Sequence, residues 1–209
     1  MPIGINGNGS ITGISSGGLP DASVNTEDLN AGTASSGQKL VASGASGAMT
    51  WGSSIVSGTA QNSTSGTSID FTGIPSWAKR VTVMFTGVST TGSSPLLIRI
   101  GAGSIDTTGY LGCGAGVSNG GTSAQNSTAG FIINGGSTGA AEVVNGLVNI
   151  SLLSANTWCT FGGLGRSDGA QVYYTGGSKT LSGTLDRVRI TTVGGTDTFD
   201  AGSINIFYE

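Results

Sequence analysis

Histidine is absent from all 209 residues, which removes the commonest general base and the usual nitrogen ligand of zinc, so a Ser-His-Asp triad cannot be assembled within one chain. Two cysteines, Cys113 and Cys159, stand far apart in strand-like surroundings. They lack the CxxC spacing of a zinc or redox site. Buried free thiols are the expected reading, with a disulfide left open. Gly13-Ile-Ser-Ser-Gly17 and Gly116-Val-Ser-Asn-Gly120 match the form GxSxG. Neither joins a long strand to a helix, as a nucleophile elbow must, and a chain rich in Gly and Ser yields such matches by accident. Gly176-Gly-Ser-Lys-Thr180 resembles the end of a phosphate loop, but Ser178 interrupts the glycine-lysine pair and no helix-forming sequence follows; a hairpin turn is expected there. Gly112-Cys-Gly-Ala-Gly116 and Gly162-Gly-Leu-Gly165 lack the strand-glycine-helix context of dinucleotide binding and read as bends in strands.

Among the 11 carboxylates, Asp197 and Asp200 are neighbours, yet neither calcium-loop spacing nor a cluster of acids accompanies them, so a surface or turn role is expected. Tyr110, Trp158, Tyr173 and Tyr174 could stack on sugar rings if exposed, since a flat apolar face with a polar edge suits a glycan. Packing in a core or between subunits is the plainer role for each. Trp51 and Trp77 read as packing residues at the entrance to a folded head. No catalytic, cofactor-binding or metal-ligating residue is assigned, and the chain is expected not to be an enzyme.

The composition agrees. Charged residues make up 9% and glycine contributes 39 positions, while the formal charge is -3 with only 8 Lys and Arg. Such a chain has no basic footprint for a phosphate backbone, so no nucleic-acid partner is expected. No stretch approaches the roughly 18 apolar residues needed to cross a bilayer, so no membrane insertion is expected. The start Met1-Pro-Ile-Gly4 lacks the cationic and apolar blocks of a secretion signal. Glycine follows no three-residue period, which excludes collagen.

Two regions must position whatever function there is. Residues 1–54 are nearly continuous Gly, Ser, Thr, Ala and Asn with isolated apolar anchors such as Ile3, Ile11, Leu19, Leu40 and Trp51. They read as an extended segment and linker, either a flexible tail or, as the isolated anchors favour, a strap whose apolar residues are buried against other chains, reaching at most ~165 Å at about 3.3 Å per residue, with one short helical turn possible between Leu19 and Leu29. Residues 55–209 form short apolar runs between glycine-rich turns: 68–71, 80–88, 95–101, 109–113, 130–133, 146–153, 157–161, 171–175, 185–191 and 203–208. In 80–88, Val81, Val83 and Phe85 share a face opposite Thr82 and Met84; in 185–191, Leu185, Arg187 and Arg189 oppose Asp186, Val188 and Ile190. About ten such strands predict an all-β protein with a single β-sandwich or jelly-roll-like head. Residues 118–129 and 135–142 read as long loops, where recognition usually sits.

The run Ile69-Asp-Phe-Thr-Gly-Ile-Pro-Ser-Trp-Ala-Lys-Arg-Val-Thr-Val-Met-Phe-Thr-Gly-Val-Ser-Thr-Thr-Gly92 resembles the opening of a C-terminal domain found in tail-fibre and related structural proteins of tailed bacteriophages. Residues 181–192 (Leu-Ser-Gly-Thr-Leu-Asp-Arg-Val-Arg-Ile-Thr-Thr) and the ending 197–209 agree with it, and 32–51 resembles the linkers of such fibres. The resemblance implies a virion component assembled in the bacterial cytoplasm. It would be a homotrimer, attached by its N-terminus to tail, neck or capsid proteins and presenting its head to a bacterial cell-surface receptor. The alternatives are an architectural neck or head fibre or decoration protein without a receptor role, and a polysaccharide depolymerase. No catalytic residue is implied.

Overall fold

The computed structural model describes residues 4–5, 11–12, 39–43, 48–52, 55–136, 139–140 and 142–209. They fall into two units, Met1–Ser54 and Ile55–Glu209. In the first, β1 (Gly4–Ile5) pairs antiparallel with β2 (Ile11–Thr12), and β3 (Lys39–Ser43) with β4 (Ala48–Gly52). Each pair forms a two-stranded antiparallel sheet. The short helical turn expected between Leu19 and Leu29 and the GxSxG match at 13–17 lie outside the described residues.

The second unit is all-β, and among the described residues there is no helix. Its strands are β5 (Val56–Ser57), β6 (Gln61–Asn62), β7 (Ser68–Thr72), β8 (Arg80–Thr90), β9 (Leu96–Ala102), β10 (Ser104–Ile105), β11 (Leu111–Ser118), β12 (Gly121–Ser127), β13 (Phe131–Ile132), β14 (Val144–Ser154), β15 (Thr157–Arg166), β16 (Gln171–Thr180), β17 (Arg187–Thr192) and β18 (Phe199–Tyr208). A nine-stranded sheet runs β12-β11-β16-β15-β14-β8-β18-β5, with β6 also on β18; a five-stranded sheet runs β10-β9-β17-β7, with β13 on β9. Every pairing is antiparallel.

The two sheets share one core, which is what a sandwich-like arrangement requires. Val81, Val83 and Phe85 of β8, Val148 and Ile150 of β14 and Ile204 and Ile206 of β18 pack in a single cluster with Ile69 and Phe71 of β7, Ile98 and Ile100 of β9 and Val188 and Ile190 of β17. Each such side chain contributes about 1.5–3 kcal/mol on leaving water. The expected alternation of β8 is what the fold uses. Leu185 differs: it lies before β17 and is buried rather than sharing the outward face of Arg187 and Arg189.

All ten expected runs overlap strands, but several boundaries move. The loop expected at 118–129 is mostly β12, turned back on β11 at residues 119–120. Gly176–Thr180, read as a turn, completes β16. The glycines of β11 are not bends. Gly112, Gly114 and Gly116 point inward along a strand, and a Cβ on Gly114 would lie 2.5 Å from the Ile132 carbonyl oxygen. Their bareness lets residues 130–135 cross directly over the sheet.

Candidate functional site

One end of the nine-stranded sheet gathers two chain reversals and the entry to β14. Register places Ser118 opposite both Gly121 and Gln171, Gln171 opposite Arg166, and Arg166 opposite Val144. The β11–β12 turn, the β15–β16 turn and the segment entering β14 therefore meet at one edge. They enclose an open cleft of ≈440 Å3 whose wall includes Ser118, Thr122, Gly139, Glu142, Arg166 and Gln171, a size within the ~300–1,000 Å3 usual for ligand sites.

Arg166 organises this edge. Its Nε and Nη2 donate to the two carboxylate oxygens of Asp168, each at 2.9 Å, and its Nη1 donates to Glu142 Oε1 at 2.9 Å. The fork of a guanidinium suits this bidentate geometry. Glu142 is nearly buried, and it also accepts the Gly139 N–H at 2.6 Å and the Tyr173 hydroxyl at 2.5 Å. The Arg166 hydrogen bonds hold the Asp168 carboxyl down at about 2, against an ordinary value of 3.8, and the Asp168 bond raises the Arg166 guanidinium in turn. Burial, reinforced by Glu142, pushes the Tyr173 hydroxyl above its ordinary range. Both acids are thus ionic anchors of a loop, with their lone pairs directed at fixed donors. The cleft wall carries hydroxyls, the Gln171 amide, one guanidinium and the Glu142 carboxylate bound to it, a polar set suited to hydrogen-bonding a polyhydroxyl ligand.

The structure separates the four aromatic residues singled out for stacking. Tyr110, Trp158 and Tyr173 are buried, and only Tyr174 is exposed. Tyr110 meets Phe131 edge-on at 5.0 Å, and its hydroxyl accepts the Ile100 N–H at 2.8 Å and donates to the Ile100 carbonyl at 3.0 Å. Trp77 is half exposed and leans on Tyr208 with ring centroids 5.6 Å apart. Asp197 accepts the Ser94 N–H at 2.8 Å and Asp200 accepts the Ser89 hydroxyl, so both serve turns and strand edges. Both thiols are free, but the expectation of burial fails: Cys113 is exposed and Cys159 half-buried. They lie on the outward face of the sheet, where glycine-rich strands present every second residue to solvent. Ser118 sits where β11 turns into β12, so a strand and not a helix follows it. Among the described residues no group of three or more Cys, Asp and Glu is placed to hold a metal.

Glu142, Arg166 and Asp168 were not singled out from sequence. The Arg-Ser-Asp-Gly stretch at 166–169 was the one local signal, because a turn with Asp two residues after Arg brings their charges together; Glu142, 24 residues earlier, carried none.

No family model matches the chain, and no curated protein matches it. Among solved structures, a protein of unknown function from Shewanella oneidensis MR-1 is similar at 12% identity over 89% of this chain and 83% of that one, with a TM-score of 0.27.

Proposed function

We propose that the chain is a short trimeric fibre protein of a bacteriophage virion, held by residues 1–54 and presenting the 55–209 head to a bacterial surface. Its role is recognition rather than catalysis. One observation carries this reading. The three head stretches that resemble phage fibre domains, 69–92, 181–192 and 197–209, are not scattered over the fold: β7 pairs with β17 from Arg187↔Thr72 to Thr191↔Ser68, and β8 pairs with β18 along most of its length. The resemblance therefore lies in one strand-paired module, two strands from each sheet around the common core. The polar cleft at Arg166 supplies hydrogen-bonding groups for surface glycan, and its two acids are tied to a guanidinium, which argues against a hydrolytic pair.

Purified particles that carry the protein, located by antibody labelling in electron micrographs, support the virion assignment; particles without it overturn that assignment. Labelled full-length chain should bind the host strain saturably and compete with particle adsorption. Particles that carry the protein while the chain shows no such binding would make it an architectural fibre. Release of reducing ends from host polysaccharide would make it a depolymerase.

A further inference from the structure

The outward face of the five-stranded sheet concentrates charge in a chain that has little. Of the 8 Lys and Arg, three stand on it: the register sets Arg189 between Asp70 and Arg99, and Arg187 between Thr72 and Gly101. Two acids answer them. Arg187 donates from Nε and Nη2 to the two Asp186 oxygens at 2.7 and 3.0 Å, and Arg189 donates from the same two nitrogens to the Asp70 oxygens at 2.7 and 2.6 Å. Arg99 makes no ion pair among the described residues, and its Nε donates to the Ala129 carbonyl at 2.8 Å. Three guanidinium charges thus stand against two carboxylates, a local cationic surplus in a chain of formal charge -3.

Arg187 and Arg189 border an open groove of ≈340 Å3, lined also by Asp70, Thr72, Ser104 and Thr107. Part of its wall is the chain that follows β9. A Cβ on Gly101 would lie 1.9 Å from the Ser104 carbonyl oxygen, so only a glycine beside Arg187 lets that chain close over the face. The wall is fixed at both ends. Asp186 Oδ1 accepts the Gly103 N–H at 3.1 Å; further on, Lys179 donates to the Thr108 carbonyl at 2.9 Å and pairs with the Asp106 carboxylate at 2.8 Å. Asp186 therefore holds the wall and the Arg187 guanidinium together. A ligand entering a site fixed in this way orders few groups, which keeps the entropic cost of binding low.

Donors remain in this groove after the protein's own bonds are made. Nη1 of Arg187 and of Arg189, and the hydroxyls of Thr72, Ser104 and Thr107, make no hydrogen bond among the described residues. Two residues apart on one face of β17, the arginines stand about 6.6 Å from each other along the strand, within reach of one oxyanion that accepts from both at about 2.8 Å. The space exceeds a bare ion and falls in the ~300–1,000 Å3 range of small-molecule sites. We propose that this groove binds an acidic saccharide, its carboxylate or phosphate held by Arg187 and Arg189 and its hydroxyls by Thr72, Ser104 and Thr107. Asp70 and Asp186 do not oppose the anion, because both oxygens of each are engaged by a guanidinium. The site is separate from the Arg166 cleft, where one guanidinium stands against Glu142 and Asp168 and leaves no cationic surplus. It requires neither a virion nor a trimer.

The test is calorimetric titration of the full chain at low salt, where charge contacts are least screened. The ligands are hexagalacturonate and glucose 6-phosphate, with methyl-esterified hexagalacturonate, glucose and inorganic phosphate as controls. At least one acidic sugar should bind saturably and more tightly than its uncharged counterpart and than inorganic phosphate; which one does so tells carboxylate from phosphate. Arg187→Gln and Arg189→Gln should each weaken that binding by about tenfold or more. Arg80→Gln, which removes the same charge from β8 where Arg80 pairs with Glu209, should leave it unchanged. The proposal is overturned if neither acidic sugar binds saturably, if the uncharged sugars or inorganic phosphate bind as tightly, or if Arg80→Gln loses as much as the other two. Should the β17 variants fail to fold, phenylglyoxal modification of the wild type, mapped by mass spectrometry, decides: shielding of Arg187 and Arg189 by the acidic sugar supports the site, and unchanged modification overturns it.

Discussion

Replacing Arg166 by Met removes the cation at the sheet end and leaves Glu142, with 7% of its side chain exposed, facing the Tyr173 hydroxyl and Gly139 N–H alone. Breaking a buried pair by deleting one partner costs about 3–5 kcal/mol when both ions are dry. Here the Arg166 side chain is 26% exposed and Glu142 keeps two donors, so the expected loss lies lower, at about 2–3 kcal/mol. Glu142→Gln in the same background removes the stranded charge while the amide oxygen still accepts from Tyr173, so the double variant should recover at least about 1 kcal/mol. Urea denaturation at fixed protein concentration, followed through the buried Trp158, reads both. A loss of 2–3 kcal/mol moves the midpoint by about 1 M. If Arg166→Met and Glu142→Gln add simply, the guanidinium does not neutralise Glu142 and the account of the cleft wall is wrong.

Asp168 gives a pH signature of definite sign. Its carboxyl is held down at about 2 by Arg166, so its stabilisation is whole above the ordinary carboxylate range and is lost as pH falls through about 2; urea midpoints of Asp168→Asn should lack this acid-side fall. Gly135→Ala would place a Cβ 1.8 Å from the Gly114 carbonyl oxygen, whereas one at Gly183 meets only the Ala102 Cβ at 3.5 Å. The first substitution should cost upwards of about 2 kcal/mol by thermal unfolding and the second under about 1 kcal/mol. Ala155, in the two-residue β14–β15 turn, has φ 46°. Ala155→Gly should raise stability by about 0.5–1 kcal/mol, seen as a higher melting temperature, because glycine holds that conformation without a Cβ penalty.

Legibility in the sequence followed side-chain chemistry. β8 announces itself through alternation of β-branched and aromatic residues, because one of its faces lies on the shared core, and β9, β14 and β18 announce themselves as short apolar runs, that of β9 buried on both faces. β12, Gly-Thr-Ser-Ala-Gln-Asn-Ser, carries no such pattern. It is an edge strand whose residues are mostly exposed, and pairing with β11 rather than burial makes it a strand. The glycines of β11 misled for a related reason: their requirement comes from residues 130–135 passing overhead, a contact between segments that no local spacing encodes. The Glu142–Arg166 pair is likewise a product of register, and of the aromatic candidates Tyr173 and Tyr174 were told apart only by which face of β16 each occupies.

The head's first residues bear on how it carries load. Val56 and Ser57 pair with Tyr208 and Phe207, Gln61 and Asn62 with Ile204 and Ser203, and the Gly58 and Ser63 amides donate to Ile206 and Gly202. If residues 1–54 bear load as proposed, tension entering at Ile55 reaches these few bonds before it reaches β7. They should open at low force and free residues 55–67 to extend by up to about 43 Å at ~3.3 Å each. The pull would reach β7 and the core only afterwards, so the entry segment would act as a compliant tether that spares the sheets from sudden strain.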